Sequence, residues 1–456
     1  MISVCGPHDD GLNGAANTKS IAMGRIWMHR AVEAVADLGR QYFERPSAKS
    51  PLKAAQSLCR DLLSGKGEAS GTALAREVVA LYEKMPDLDR LGFLDMLARD
   101  YEVVPEHAVA AAAAYAKKPD AGALSTLRSA VEPPRQELLR RINTAPGGTA
   151  AIVHMRERLL LAMGDDPALR ALDEDFRHLF ESWFNRGFLQ FERIEWRTPA
   201  AILEKLIAYE AVHEIEGWED LRRRLADDRR CFAFFHPALV DEPLIFVEVA
   251  LTGRLSNQIA PLIHSEPGNG KDDKPSTAIF YSISNCQAGL AGISFGNRLI
   301  KQVVDALSME LPTVRNFATL SPIPRFRRWL DREVRKSPPS FMKEDDFKLL
   351  SEPDWADDAA HRSALKPLLT KLCALYLTGT DSRGRALDPV ARFHLGNGAA
   401  IERINWEGDL SARGIAQSAG MMVNYSYKPD DIVGNHEAYV GRGEIAMSSK
   451  VKGMLP

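Results

Sequence analysis

An α+β chain is expected, with an all-helical first part and a mixed α/β second part, and three observations point there. From about Arg25 to Arg141 the apolar residues recur at helical spacing with few β-branched runs. After Arg229 the period changes to short apolar and aromatic runs of the kind that form strands. Between them, Asn143-Thr144-Ala145-Pro146-Gly147-Gly148 concentrates turn formers between two helical patterns and sets the domains at residues 1–145 and 146–456.

The helical part is carried by Ala73, Val78, Leu81 and Tyr82, and by Leu91, Phe93, Leu94 and Leu97. The alanine tract Val109–Ala116 is expected as an ordinary packed helix that ends at Lys117-Lys118-Pro119. Thr198-Pro199 opens another helix, with threonine as cap and proline in the first turn, and Ile202, Leu206 and Tyr209 on its buried face. Cys231–Phe235 and Leu244–Leu251 read as two strands joined through residues 237–243. A polar loop, Ser265–Ser276, precedes a third strand, Thr277–Ile283, which runs into a glycine turn and a helix over Ser294–Leu307. That strand, turn and helix order suits ligand binding. A strand at Arg315–Leu320, a helix after Pro324 and a helix over His361–Leu377 follow. Asp388-Pro389 then caps and opens a short helix ending near Gly396, before strands at Ala399–Trp406 and Met421–Tyr427.

With 456 residues, 45% hydrophobic and 26% charged, the chain is long enough for two or three domains. A net charge of −3 and a pI near 6.4 disfavour a nucleic-acid partner. Five scattered cysteines without a C-x-x-C pair indicate neither a disulfide framework nor a zinc site, and the chain is expected to be cytoplasmic. No window approaches the roughly 20 apolar residues of a membrane span, and Met1–Asn17 lacks the marks of a secretory signal.

Three stretches could carry chemistry. Ser284-Asn285-Cys286-Gln287-Ala288-Gly289-Leu290-Ala291-Gly292 fits either a phosphate cradle, since glycines let backbone amides approach an anion, or a plain tight turn. It matches neither G-x-G-x-x-G nor the P-loop. His394, near a helix end in Phe393-His394-Leu395-Gly396-Asn397-Gly398, is either a proton carrier or a satisfied core histidine. In Asn424-Tyr425-Ser426-Tyr427, strand alternation points both tyrosines to one face, with aromatic core packing as the default reading. Cys286 is considered as a nucleophile because helix starts lower thiol pKa. The pairs Asp241-Glu242, Asp272-Asp273 and Asp430-Asp431 read as solvated turns, and no metal site is expected.

Thr277-Ala-Ile-Phe-Tyr-Ser-Ile-Ser284, Gly289-Leu-Ala-Gly292, Leu320-Ser-Pro-Ile-Pro324, Asp388-Pro-Val-Ala-Arg-Phe-His394-Leu-Gly-Asn-Gly398 and Arg403-Ile-Asn-Trp406 together resemble the malonyl-CoA decarboxylase family, in family order. The resemblance implies a second domain similar to the GNAT acyltransferase fold that binds coenzyme A, and a helical first domain used for self-association as a dimer or tetramer. It implies conversion of malonyl-CoA to acetyl-CoA and carbon dioxide with no cofactor, coenzyme A being part of the substrate. It places the catalytic serine at Ser284, the catalytic histidine at His394 and an active-site tyrosine at Tyr427, with Asn424 in support. Substrate contacts fall on Ser256, Asn257, Gln258, Ile259, Ala260, Pro261 and Leu262, and on Gln287, Gly289, Leu290, Ala291 and Gly292. The alternatives are a GNAT-type acyltransferase and a non-catalytic acyl-CoA sensor.

Overall fold

The helical spacing of the first part is realised as a run of helices: α1 (Pro51–Leu63), α2 (Glu68–Lys84), α3 (Asp87–Asp100), α4 (Pro105–Lys117), α5 (Ala121–Val131), α6 (Pro134–Asn143), α7 (Gly148–Ala162) and α8 (Pro167–Trp183). The computed structural model describes residues 50–64, 68–264, 274–293, 299–352 and 355–455. Two compact units result, one of residues up to 183 with residues 289–293, the other of residues 184–288 and 294–456.

In the first unit Val78, Tyr82, Phe93, Leu97, Leu139, Ile152, Met155, Phe176 and Phe180 are buried together as the apolar stripes predict. Leu91 faces solvent instead. Inside this core Arg135 donates through Nε to Asp175 at 2.5 Å, and through Nη1 to Glu102 at 2.6 Å and the Ala98 carbonyl at 3.1 Å, so α6 is tied to α8 and to the end of α3. The alanine tract does form α4, but only Ala111 of that helix is buried. Alanine's backbone propensity forms it, with α5 as its neighbour, and no deep packing is needed. The turn at residues 143–148, taken above as the domain boundary, joins α6 to α7 within this unit, which continues to Trp183. Turn formers mark a chain reversal, and Ile152, Met155 and Phe176 beyond the turn are still buried in the helical core.

The second unit is built on a mixed sheet. Its elements are β1 (Gln190–Ile194), α9 (Ala200–Tyr209), α10 (Trp218–Arg224), β2 (Arg229–His236), β3 (Leu239–Thr252), α11 (Ala260–His264), β4 (Thr277–Asn285), α12 (Leu299–Glu310), β5 (Asn316–Thr319), β6 (Ser321–Pro322), α13 (Phe326–Trp329), α14 (Glu344–Ser351), α15 (Ala359–Thr378), α16 (Pro389–Gly396), β7 (Ala400–Asn405), α17 (Ala412–Ser418), β8 (Met422–Ser426), α18 (Ile432–Arg442) and α19 (Ser449–Lys452). The strand order is β1-β2-β3-β4-β5-β8-β6, with β7 also paired to β8. All neighbours are antiparallel except β4 and β5. Parallel neighbours need a crossover, and α12 supplies it, burying Ile300, Val303, Val304 and Leu307.

The unbroken apolar run of β2 follows from burial on both faces. Phe232 and Phe234 meet the Phe191 ring, whereas Cys231, Ala233 and Phe235 pack with Ile202, Leu203 and Leu206 of α9. Thr198 does not cap α9; Pro199 holds the N-cap position and the Thr198 hydroxyl accepts the Glu195 N–H instead. The α+β class is borne out. The expected start of the helix after the glycine turn, Ser294–Arg298, lies outside the described residues, as do Asp272-Asp273 and most of the polar loop before β4.

Candidate active site

Asp388 accepts the N–H groups of Val390 and Ala391 at 2.9 Å each, and Pro389 fills the first turn, so α16 starts where the sequence predicts. This fixes His394 one residue pair before the helix ends and buries it. Its Nδ1 lies 2.7 Å from the Tyr427 hydroxyl, and its Nε2 lies 3.1 Å from Ser321 Oγ. The ring stacks on Tyr425 with centroids 4.5 Å apart. Both tyrosines therefore meet one imidazole, as alternation along β8 predicts. Burial alone pushes the His394 pKa from 6.5 down to about 3, so the ring is neutral near pH 7.

The cavity beside it comes from two strands that part. Pairing of β4 with β5 runs from Thr277↔Asn316 to Phe280↔Thr319 and stops, while β4 continues to Asn285 against β3. Into that gap opens a cavity of about 250 Å³, lined by Val212, Phe280, Tyr281, Ser282, Ile283, Asn285, Ser321, Pro322, Pro389, Val390, Phe393 and His394. A few polar groups thus converge in an apolar enclosure, the usual make-up of a small-molecule site.

Ser284 stands next to this cavity and is not on its wall; Ser282, two residues earlier, is. A bulge at Tyr281 sets Ser282 and Ser284 opposite Glu248 and Phe246. Ser282 Oγ lies 2.8 Å from both Glu210 carboxylate oxygens and donates there, Ser284 Oγ donates to Glu210 at 3.1 Å, and the two hydroxyls are 3.2 Å apart. Glu210, at the end of α9, also accepts the N–H groups of Val212 and His213 at 2.8 Å. Glu210, Ser282 and Ser321 were not singled out by the sequence reading. Two of them sit inside quoted motifs, and the i, i+2 serines of Tyr281-Ser-Ile-Ser284 were the available signal for Ser282.

Of the predicted substrate segment, Ile259 and Leu262 are buried in a core with Ile279, Tyr281 and Met422, whereas Asn257, Gln258, Ala260 and Pro261 are exposed. The Ser256 carbonyl accepts from Arg403 at 2.9 Å and from Asn424 at 3.1 Å. Asn424 is fully buried and also donates to the Thr319 carbonyl, while its Oδ1 accepts from Arg403 and Asn405. All four of its amide sites are taken by protein. Asn424 therefore positions the Ser256 segment between strands and offers nothing directly to a ligand.

The glycine turn has a second explanation. A Cβ on Gly289 would stand 2.0 Å from the Val153 carbonyl oxygen, so the missing side chain serves close approach to α7. Arg156 donates to the carbonyls of Gly289 at 2.7 Å and Ala291 at 2.9 Å. Leu290 is buried, whereas Ala291 and Gly292 are exposed, and Gly292 has a left-handed φ of +77°. Gln287 donates to the Pro243 carbonyl at 3.2 Å. Burial pushes the Cys286 thiol pKa well up, the reverse of what a nucleophile needs.

A larger open groove of about 990 Å³ is lined by Trp196, Glu214, Glu216, Glu219, Asp220, Arg222, Arg223, Leu225, Ala226, Asp227, Asp228, Ile263 and His264. Carboxylates dominate it, and they would repel an anionic thioester, so the smaller cavity at His394 is the candidate site. Among the described residues no helix is long and apolar enough to cross a membrane.

The sequence model of the malonyl-CoA decarboxylase C-terminal domain matches residues 187–456, and that of the N-terminal domain matches residues 101–184. Mitochondrial malonyl-CoA decarboxylase of Anser anser anser is 37% identical over 397 residues, 79% of each chain. That of Rattus norvegicus is 36% identical over 356 residues, 72% of each chain. The crystal structure of malonyl-CoA decarboxylase from Rhodopseudomonas palustris is similar at a TM-score of 0.84 and 52% identity, covering 89% of this chain and 100% of that one. The enzyme from Agrobacterium vitis gives 0.82 and 50%, covering 88% and 99%. With its second unit spanned by the family's C-terminal domain and relatives matched over most of their length, this chain belongs to the malonyl-CoA decarboxylase family.

Proposed function

We propose that the chain converts malonyl-CoA to acetyl-CoA and carbon dioxide in the cavity between β4 and β5. The observation that carries this reading is the buried His394, held between Tyr427 and Ser321 at the wall of that cavity, in a member of this family. Cleavage of the carbon–carbon bond leaves its electron pair on the thioester as an enolate, and a proton must then reach the α-carbon. The thioester is itself the electron sink, so no cofactor is invoked.

A malonyl carboxylate entering beside the neutral imidazole raises its proton affinity, because an opposite charge in a water-poor cavity favours the charged form. His394 takes up a proton on binding. Departure of carbon dioxide moves the negative charge to the enolate, whose carbon receives the proton from the imidazolium. Ser282, a hydroxyl on the cavity wall, serves the thioester oxygen by turning its single O–H there from Glu210, with Ser284 beside it. Ala291 and Gly292 are exposed, which suits their expected contact with an anionic group, and Ser256–Leu262, backed by Asn424, borders the substrate. Self-association through the helical unit is supported by exposed Leu88, Val109 and Leu161. A cytoplasmic setting is supported by the buried free thiols of Cys59, Cys231, Cys286 and Cys373, which suit a reducing compartment.

The test is release of carbon dioxide and acetyl-CoA from malonyl-CoA by the purified chain; none from folded protein that binds coenzyme A would sink the reading. Within it, Ser282→Ala is expected to cost up to about 3 kcal/mol of transition-state stabilisation, as for a lost oxyanion donor, and more than Ser284→Ala costs. Equal kcat losses would place both hydroxyls on the substrate.

The histidine shift has a sign that can be checked. Because the free enzyme's His394 titrates at about 3, it stays neutral from pH 8 down to 5 (roughly the working range), and kcat/KM, which needs a proton taken up with the substrate, should fall steadily as pH rises through that range, with no step near the ordinary value of 6.5. Malonyl-pantetheine is the substrate to use, since it lacks the coenzyme's own titrating phosphates. A step there would mean a solvated, ordinary histidine. The same shift makes the fold lose stability as pH falls from 6.5 toward about 3, where the unfolded chain alone takes up the proton.

A further inference from the structure

Tyr425 is stacked on the buried imidazole with its own hydroxyl unused. Its ring lies 4.5 Å from the His394 ring, centroid to centroid, at an interplanar angle of 27°, whereas the Phe393 and Tyr427 rings meet the imidazole steeply, at 75° and 69°. Tyr425 is fully buried and off the cavity wall, and among the described residues its hydroxyl has no hydrogen-bond partner. The Tyr425 N–H donates to Thr319 Oγ1 at 3.2 Å and the residue pairs with Ile401 of β7, so the strand holds the ring where it is. Burial pushes the phenol pKa above its ordinary value, which keeps the ring neutral with an electron-rich face. The other groups that meet the imidazole are the hydroxyls of Ser321 and Tyr427 and the Phe393 ring, all uncharged, and no charged side chain among the described residues offsets the burial of His394.

We propose that Tyr425 is a positioning residue whose ring face steadies the imidazolium form of His394 through a cation–π contact. Its bearing on rate rests on the proposed decarboxylation, whereas the contact itself does not. A cation within about 6 Å of an aromatic centroid and over its face is attracted by the ring's negative face, and more strongly where water is excluded. The proton that His394 takes up with substrate is thereby held until the enolate carbon receives it. The ring does this and the hydroxyl does not, since the hydroxyl meets neither His394 nor the cavity.

The test changes the electron density of the ring and keeps its shape. Tyr425→Phe starts a series continued by phenylalanines with one, two and three ring fluorines at the same position, so that the face loses negative charge step by step. Tyr425→Phe should raise the urea midpoint, because a buried unpaired hydroxyl is gone. Along the fluorinated series kcat/KM for malonyl-CoA should fall stepwise, by roughly 5- to 30-fold in all, the worth of a desolvated cation–π contact. The alkaline limb of kcat, which reports the group in the substrate complex, should move down by about 1 pH unit. Packing alone moves neither readout with fluorine number. A kcat/KM that is flat along the series would overturn the proposal, and so would a loss already complete in Tyr425→Phe, which would put the hydroxyl to work. The same protonation can be followed without turnover by ¹⁵N-histidine NMR of the complex with succinyl-CoA, assigned by subtracting the His394→Gln spectrum, because that thioester forms no enolate by losing carbon dioxide. A stepwise fall of the His394 titration there, in protein that releases no carbon dioxide from malonyl-CoA, would uphold the contact and overturn the decarboxylase reading alone.

Discussion

Replacing His394 by glutamine is expected to lower kcat for carbon dioxide release by about 10²- to 10⁴-fold, the usual worth of a positioned general acid, while coenzyme A affinity is kept. Glutamine is the informative choice because its amide can still donate toward Ser321 and its carbonyl can still accept from Tyr427, the two partners that His394 has now. Alanine would leave the buried Tyr427 hydroxyl without its partner, take one of two from Ser321 and open a void, mixing a folding cost with the chemical one. What glutamine removes is the capacity to gain and lose a proton. The accompanying sign is in calorimetry: binding of a stable dicarboxylic acyl-CoA analogue takes up a proton in the parent and none in the variant, read from the dependence of the heat on buffer ionisation. A variant that keeps the parent's kcat would remove His394 from the chemistry.

How much of this was legible in the sequence depended on whether a residue's partners were local. The Asp388-Pro389 start of α16 was readable because a cap and a fixed φ act within one turn, and the structure has both. The shared face of Tyr425 and Tyr427 was readable because strand period is local too. Ser321 was not, since its meaning lies in Thr319 beside it and in His394, 73 residues away in the chain. Glu210 was hidden for the same reason: its serine partners are 72 and 74 residues distant. The glycine turn misled in part because glycine reports close approach without saying to what. Ligand phosphate and the Val153 carbonyl make the same demand on Gly289. Asn424 was drawn toward the substrate by its neighbours in sequence, yet four hydrogen bonds bind it into the sheet and the Ser256 segment.

The Val153 contact leads to the second large effect, on stability. Arg156 sits on α7 nearly fully buried, with Nε donating to Asp173 at 2.7 Å and Nη1 to the Gly289 and Ala291 carbonyls. Its planar donors meet three acceptors at once, which lysine cannot do. Arg156→Met keeps much of the apolar stem but leaves a half-buried carboxylate and two carbonyls unmatched, an expected loss of about 3–5 kcal/mol for breaking a buried pair from one side. Urea unfolding followed by far-ultraviolet circular dichroism checks it through the midpoint. Gly289→Ala should act on the same contact from the other side, because its methyl has no room at the Val153 carbonyl. If both variants disrupt one docking of the turn on α7, the double variant loses less than the sum of the single losses, the mark of a shared interaction. Full additivity would mean that Arg156 and Gly289 hold different things, and an unchanged midpoint for Arg156→Met would mean that water replaces the guanidinium without cost.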